Sequence, residues 1–124
     1  MTSTLGQHDD AVRRFADACR AGDIAGLLGA LDTDACAVCD AGGLLPAAPA
    51  LARGAAEVAE LAAVLLGGQP GAVLTTEAVN GRAGLALRRD GRAVSVVGIE
   101  TAGPKVSMLW IVVNPAKLGG WHRC

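Results

Sequence analysis

The chain has 124 residues, 11 basic and 12 acidic side chains for a net charge of −1, and 52% hydrophobic against only 2% aromatic content. That length makes one domain, residues 1–124, with a core of its own, built here from Ala, Leu and Val, since Tyr is absent and Phe occurs once. The balanced charge forms no basic stripe and there is no aromatic platform for bases, which argues against direct nucleic-acid binding. Scarce aromatic and histidine side chains also weigh against catalysis.

The opening Met1-Thr-Ser-Thr-Leu-Gly-Gln-His-Asp-Asp has neither a positive n-region nor an apolar stretch, so it is not a signal peptide. Apolar runs such as Leu61–Leu66 fall far short of the roughly 20 residues a membrane span needs. A cytoplasmic protein without membrane contact is expected. Asp9 or Asp10 is placed to cap a helix from Ala11 to Ala21, whose Val12, Phe15, Ala16 and Cys19 recur at helical spacing. Residues 1–8 and 119–124 are then loose ends, and His8 and His122 near them are poor candidates for a general base, which must be held close to its proton. Gly22 ends the first helix, and Asp23 caps a second through Leu31 with Ile24, Leu27 and Leu28 as its apolar side.

Cys36–Asp40 reads as a short strand. Cys36 and Cys39 point to opposite faces of it, and neither His8, His122 nor Cys124 completes a zinc spacing. The cysteines are therefore read as small hydrophobes, with no metal and no cofactor. Ala41-Gly42-Gly43 breaks the strand, and a loop containing Pro46 and Pro49 comes next. Arg53-Gly54 precedes a third helix, Ala55–Leu66, stopped by Gly67-Gly68-Gln69-Pro70-Gly71.

Four strands complete the chain: Ala72–Val79, Ala83–Arg89, Ala93–Thr101 and Val106–Val113. Asn80-Gly81 and Asp90-Gly91 are two-residue hairpin turns, and Gly103-Pro104 marks a third. Helices before an antiparallel meander predict an α+β fold, three N-terminal helices packed on a curved, mainly antiparallel sheet. Unbroken hairpins pair Thr76 with Leu85, Glu77 with Gly84, Leu87 with Val94, Arg88 with Ala93, Val97 with Trp110 and Ile99 with Met108. One face then carries Leu74, Leu85, Leu87, Val94, Val96, Leu109 and Ile111. The other carries Val73, Thr75, Glu77, Ala86, Arg88, Ser95, Val97, Ile99, Met108, Trp110 and Val112. Both are apolar and the helices cover one, which predicts a homodimer packed sheet against sheet. Phe15, Val97, Met108, Trp110 and Val112 are the candidates for a pocket or dimer interface.

This order of elements resembles the NTF2-like cone and its SnoaL-like branch. Asp40-Ala41-Gly42-Gly43, Arg53-Gly54-Ala55-Ala56-Glu57-Val58-Ala59, Val79-Asn80-Gly81-Arg82 and Asn114-Pro115-Ala116-Lys117-Leu118 occur in the order found in the C-terminal SnoaL-like domain of one group of extracytoplasmic-function (ECF) sigma factors. The resemblance runs from about Ala11 to Leu118 and implies a regulatory domain that contacts sigma regions through Asp40, Gly42, Gly43, Asn114, Pro115, Lys117 and Leu118. Two departures bear on that contact. Leu44 stands where the group's Asp-Gly-Gly-Gly-Lys motif has Lys, and Ala116 where its Asn-Pro-Asp-Lys-Leu tail has Asp. With no sigma regions among these residues, the resemblance implies a free-standing relative or a partner on another chain. The expected function is a non-catalytic dimeric domain that binds a small apolar ligand or a protein partner such as a sigma factor.

The alternative is a small enzyme of this cone, an isomerase, cyclase or hydrolase. Such enzymes hold an acid–base residue in an apolar interior, where desolvation raises a carboxylate's pKa. Asp40, Glu77 and Glu100 are the candidates here. Glu77 shares a face with Arg88 and is better read as an ion pair, Glu100 as an exposed strand end, and Asp40 as a turn residue.

Overall fold

A computed structural model of the chain describes residues 4–40, 50–67, 71–79 and 81–112. Helix α1 (Thr4–Ala21) and helix α2 (Ile24–Ala30) lead into strand β1 (Leu31–Asp40), strand β2 (Ala50–Arg53) and helix α3 (Ala55–Leu66). Strands β3 (Ala72–Val79), β4 (Arg82–Arg89), β5 (Arg92–Ala102) and β6 (Lys105–Val112) complete the order. The sheet runs β2-β1-β6-β5-β4-β3. Only β1 and β6 lie parallel, and every other neighbouring pair is antiparallel. The α+β architecture is as expected, with a six-stranded mixed sheet. No helix among the described residues is long and apolar enough to cross a membrane.

Helix α1 starts about one and a half turns before the expected cap at Asp9 or Asp10, so residues 4–8 are helical rather than loose. Its stripe of Val12, Phe15, Ala16 and Cys19 is fully buried. Polar bonds fasten both ends of the helix to the sheet. Near its start His8 meets Ala83 O at 2.8 Å, and near its end Arg20 donates to Leu74 O from Nε at 3.1 Å and Nη2 at 2.9 Å. Gly22, at φ 63°, turns the chain out of the helix in the left-handed conformation. Asp23 caps α2 by accepting from Gly26 N at 3.0 Å. Replacing Asp23 by Ala removes that acceptor and is expected to cost about 1 kcal/mol, read as a lower urea midpoint with an unchanged slope.

Strand β2 falls in the stretch expected to be loop. Ala-Leu-Ala-Arg has no β-branched or aromatic residue, and its pairing with Cys36–Cys39 of β1 holds it in place. In the meander, Gly81 is at φ 80°, while its partner Asn80 lies outside the described residues, and the Asp90-Gly91 turn forms as expected, with both residues at positive φ. The register differs beyond them. In β5 the pairing steps from Arg88↔Ala93 to Leu87↔Ser95, leaving Val94 as an extra residue. In β6 it steps from Thr101↔Val106 to Glu100↔Met108, leaving Ser107 as another. Each step is a β-bulge, and each reverses the facing of the strand residues beyond it. Val97 therefore pairs with Ile111, and Ile99 with Leu109, on the helix side. Unbroken hairpins would have put both on the opposite face, with Trp110 and Met108 as partners.

The helix side holds one continuous core, in which Phe15, Leu27, Val58, Leu85, Val97, Leu109 and Ile111 are all fully buried. The opposite, outer face carries a small second cluster, Ala93 and Val96 with Val79 and Val112 against them. Val96, expected on the helix side, sits here because of the first bulge. Trp110 and Val73 stand exposed at 53% and 60%.

Candidate functional site: a hollow beside Trp110

Strand β6 alternates Met108, Trp110 and Val112 onto the outer face, while Leu109 and Ile111 go to the core. Strand β1 brings Cys36 alongside Met108 and Val38 alongside Trp110. On the other flank, β5 brings Gly98 alongside Trp110 and Glu100 alongside Met108. Gly98 has no side chain to fill the row, and a Cβ there would lie 3.8 Å from both Trp110 Cβ and Val79 Cγ1. The result is a hollow of about 180 Å³ lined by Val79, Arg82, Gly98, Ile99, Glu100, Met108 and Trp110. Its walls are apolar, and one cation and one carboxylate stand at its rim.

The cation is held from behind. Arg82 Nη2 lies 3.1 Å from His8 Nδ1, and His8 is fully buried. Since a carbonyl oxygen only accepts, the 2.8 Å contact to Ala83 O requires the proton on Nε2. Nδ1 is then the acceptor, taking its bond from Arg82, with Thr101 Oγ1 at 3.2 Å. Imidazole in this tautomer is neutral and ties α1, the start of β4 and the end of β5 together. The reading of His8 as part of a loose N-terminus is thus overturned.

Neither of the described carboxylate candidates lies on the helix side. Glu77 is on the outer face and receives Arg88 Nε and Nη2 on its two oxygens, each at 2.7 Å. Thr75 Oγ1 donates to the same carboxylate, and Arg88 Nη1 reaches Gly91 O at 3.2 Å. Hydrogen bonding to the Glu77 carboxylate holds the Arg88 guanidinium protonated more firmly than usual. Glu100 is exposed on the outer face. Asp40 ends β1 beside Val112, and its side chain lies outside the described residues, as do Gly42, Gly43, Asn114, Pro115, Lys117 and Leu118.

The five pocket or interface candidates divide by face. Phe15 and Val97 are fully buried in the core, whereas Met108, Trp110 and Val112 are on the outer face. Cys19 and Cys39 are buried and Cys36 is half-buried. Burial pushes the Cys19 thiol up to about 12 against the pull of Arg20. Among the described residues no three His, Cys, Asp or Glu side chains are grouped to hold a metal ion. The site residues that sequence patterns do not reveal are His8, Arg82 and Gly98. A glycine inside the run Val96-Val97-Gly98-Ile99 is the signal that marks the last of them.

Neither a protein-family model nor any curated protein matches the chain. Solved structures do match. An NTF2-like protein of unknown function from Mesorhizobium loti superposes with a TM-score of 0.64 at 20% identity, over 91% of this chain and 95% of that one. The ECF sigma factor SigJ of Mycobacterium tuberculosis gives 0.65 at 23% identity, over 92% of this chain but only 44% of the sigma factor. An LEH-like epoxide hydrolase of M. tuberculosis gives 0.55 at 18% identity, over 95% of this chain and 86% of the hydrolase. The fold of this chain is the NTF2-like fold, common to proteins as different as a sigma factor and a hydrolase.

Proposed function

We propose that the chain is a non-catalytic NTF2-like association module that forms a homodimer through its outer sheet face. The observation that carries this reading is Trp110, a large apolar side chain left 53% exposed in the middle of a sheet. Exposed aromatics of that kind, set among half-buried apolar neighbours such as Val38, Met108 and Val112, are the usual anchors of protein interfaces. An interior ligand is not favoured, because Phe15, Leu85, Val97, Leu109 and Ile111 fill the space under the helices. Enzymatic use of Glu77 or Glu100 is not favoured either, since both face away from that interior.

The likeness to an ECF sigma factor supports a regulatory role, with a sigma factor on another chain as a second partner. Light scattering at tens of micromolar should return twice the mass of the 12.4 kDa chain. Trp110→Glu, which buries a charge in the contact, should return a single-chain mass with an unchanged circular-dichroism melt. A wild-type protein that stays monomeric at these concentrations refutes the reading.

A further inference from the structure

The exposed indole of Trp110 and the hollow over Gly98 are neighbours on one face, a projection and a recess side by side. A two-fold axis between them brings each onto the other's counterpart, because an isologous contact uses the same patch twice. The size suits one ring of the indole: a cavity of about 150 Å³ accepts a benzene ring, and the hollow offers about 180 Å³. Its rim charges agree as well. Arg82 and Glu100 line the same hollow, yet among the described residues neither is in an ion pair, the pairs present being Asp10–Arg13, Asp17–Arg20 and Glu77–Arg88. A surface that carries one unneutralised cation and one unneutralised carboxylate around a recess is complementary to a copy of itself. Because His8 already orients the Arg82 guanidinium, that side chain has less freedom left to lose on association.

We infer that the hollow receives the Trp110 indole of a second copy of this chain, with Arg82 of each protomer paired to Glu100 of the other. This rests on the sheet-face dimer proposed above and specifies its geometry. The two indoles then lie against each other near the axis, where offset stacking adds to their burial.

Charge reversal tests it. In R82E two carboxylates meet at each rim, and in E100R two guanidiniums do. Each variant alone should dimerise at least about 100-fold more weakly than wild type, like charges at an interface costing several kcal/mol. Mixed one to one, R82E and E100R should form a heterodimer, since every rim then pairs opposite charges, and the double variant R82E/E100R should dimerise like wild type. Gly98→Val offers a route that leaves the charges alone. A Cβ at Gly98 meets only ordinary contacts at 3.8 Å, so the branch point of the new side chain fits while its methyls fill the recess, and the expected product is a monomer whose circular-dichroism melt stays cooperative.

A dimer that survives Gly98→Val and both charge reversals uses another surface, which overturns this inference and leaves a dimer of different geometry. Loss of the dimer in R82E and E100R without recovery on mixing overturns the charge pairing. A wild-type monomer whose tryptophan fluorescence responds to 8-anilinonaphthalene-1-sulfonate, while that of Gly98→Val does not, assigns the hollow to a small anion. That outcome overturns both the geometry and the dimer.

Discussion

Replacing Glu77 by alanine is expected to cost the domain about 3 kcal/mol, the lower end of the range for removing one partner of a buried ion pair. The lower end applies because the two side chains are nearly but not fully buried, 9% exposed for Arg88 and 18% for Glu77. The loss does not measure the attraction between them. It arises because the Arg88 guanidinium loses both 2.7 Å bonds to the carboxylate while its side chain stays largely out of solvent. Replacing both partners, Glu77→Leu with Arg88→Met, removes the charge along with the need for it and should return most of the loss. Urea unfolding of the two variants decides the matter. A loss below about 1 kcal/mol in Glu77→Ala would place the pair among solvated surface bridges.

Phe15→Ala is expected to cost about 3–5 kcal/mol, the range for emptying a buried aromatic site. A domain of ordinary stability has about 5–15 kcal/mol in total, so the variant stands close to unfolding at room temperature. Two features place Phe15 at the high end. It is fully buried, and it is the only phenylalanine of the chain, set in a core of smaller aliphatic and cysteine side chains. The measurement is again a urea transition. A cost under about 1.5 kcal/mol would mean that α1 settles onto the sheet and closes the void.

Much of this architecture is legible in the sequence, and the misses have physical causes. Helix α3 has the bounds that its Gly flanks suggest, Ala55–Leu66. Helix α1 begins earlier because its buried stripe continues to His8, four residues before Val12, and a polar residue does not register as part of an apolar pattern. Asp9-Asp10, with its strong resemblance to a cap, then draws the boundary inward. Hairpin turns announce themselves through Asn-Gly and Asp-Gly, since few residues accept positive φ. Bulges make no such demand, and nothing in Val94 or Ser107 distinguishes them from ordinary strand residues. As a result the facing of β3, β4 and most of β6 is readable, while β5 reads inverted. Candidate-site legibility obeys the same division. Trp110, Met108 and Val112 could be placed on the outer face, but the clasp of His8 on Arg82 spans 74 positions of sequence, and no local pattern reports a contact at that range.

The two bulges have a consequence for recognition. Were β5 and β6 paired without Val94 and Ser107 as extra residues, Trp110 would stand beside Val97, and an isopropyl group would occupy the place where the strand now offers bare backbone. The recess therefore depends on the hairpin phase that turns Gly98 outward as much as on the missing side chain there. Paralogues that kept every residue of the rim but lost both bulges would present a level surface, and would pair differently while looking nearly identical in sequence.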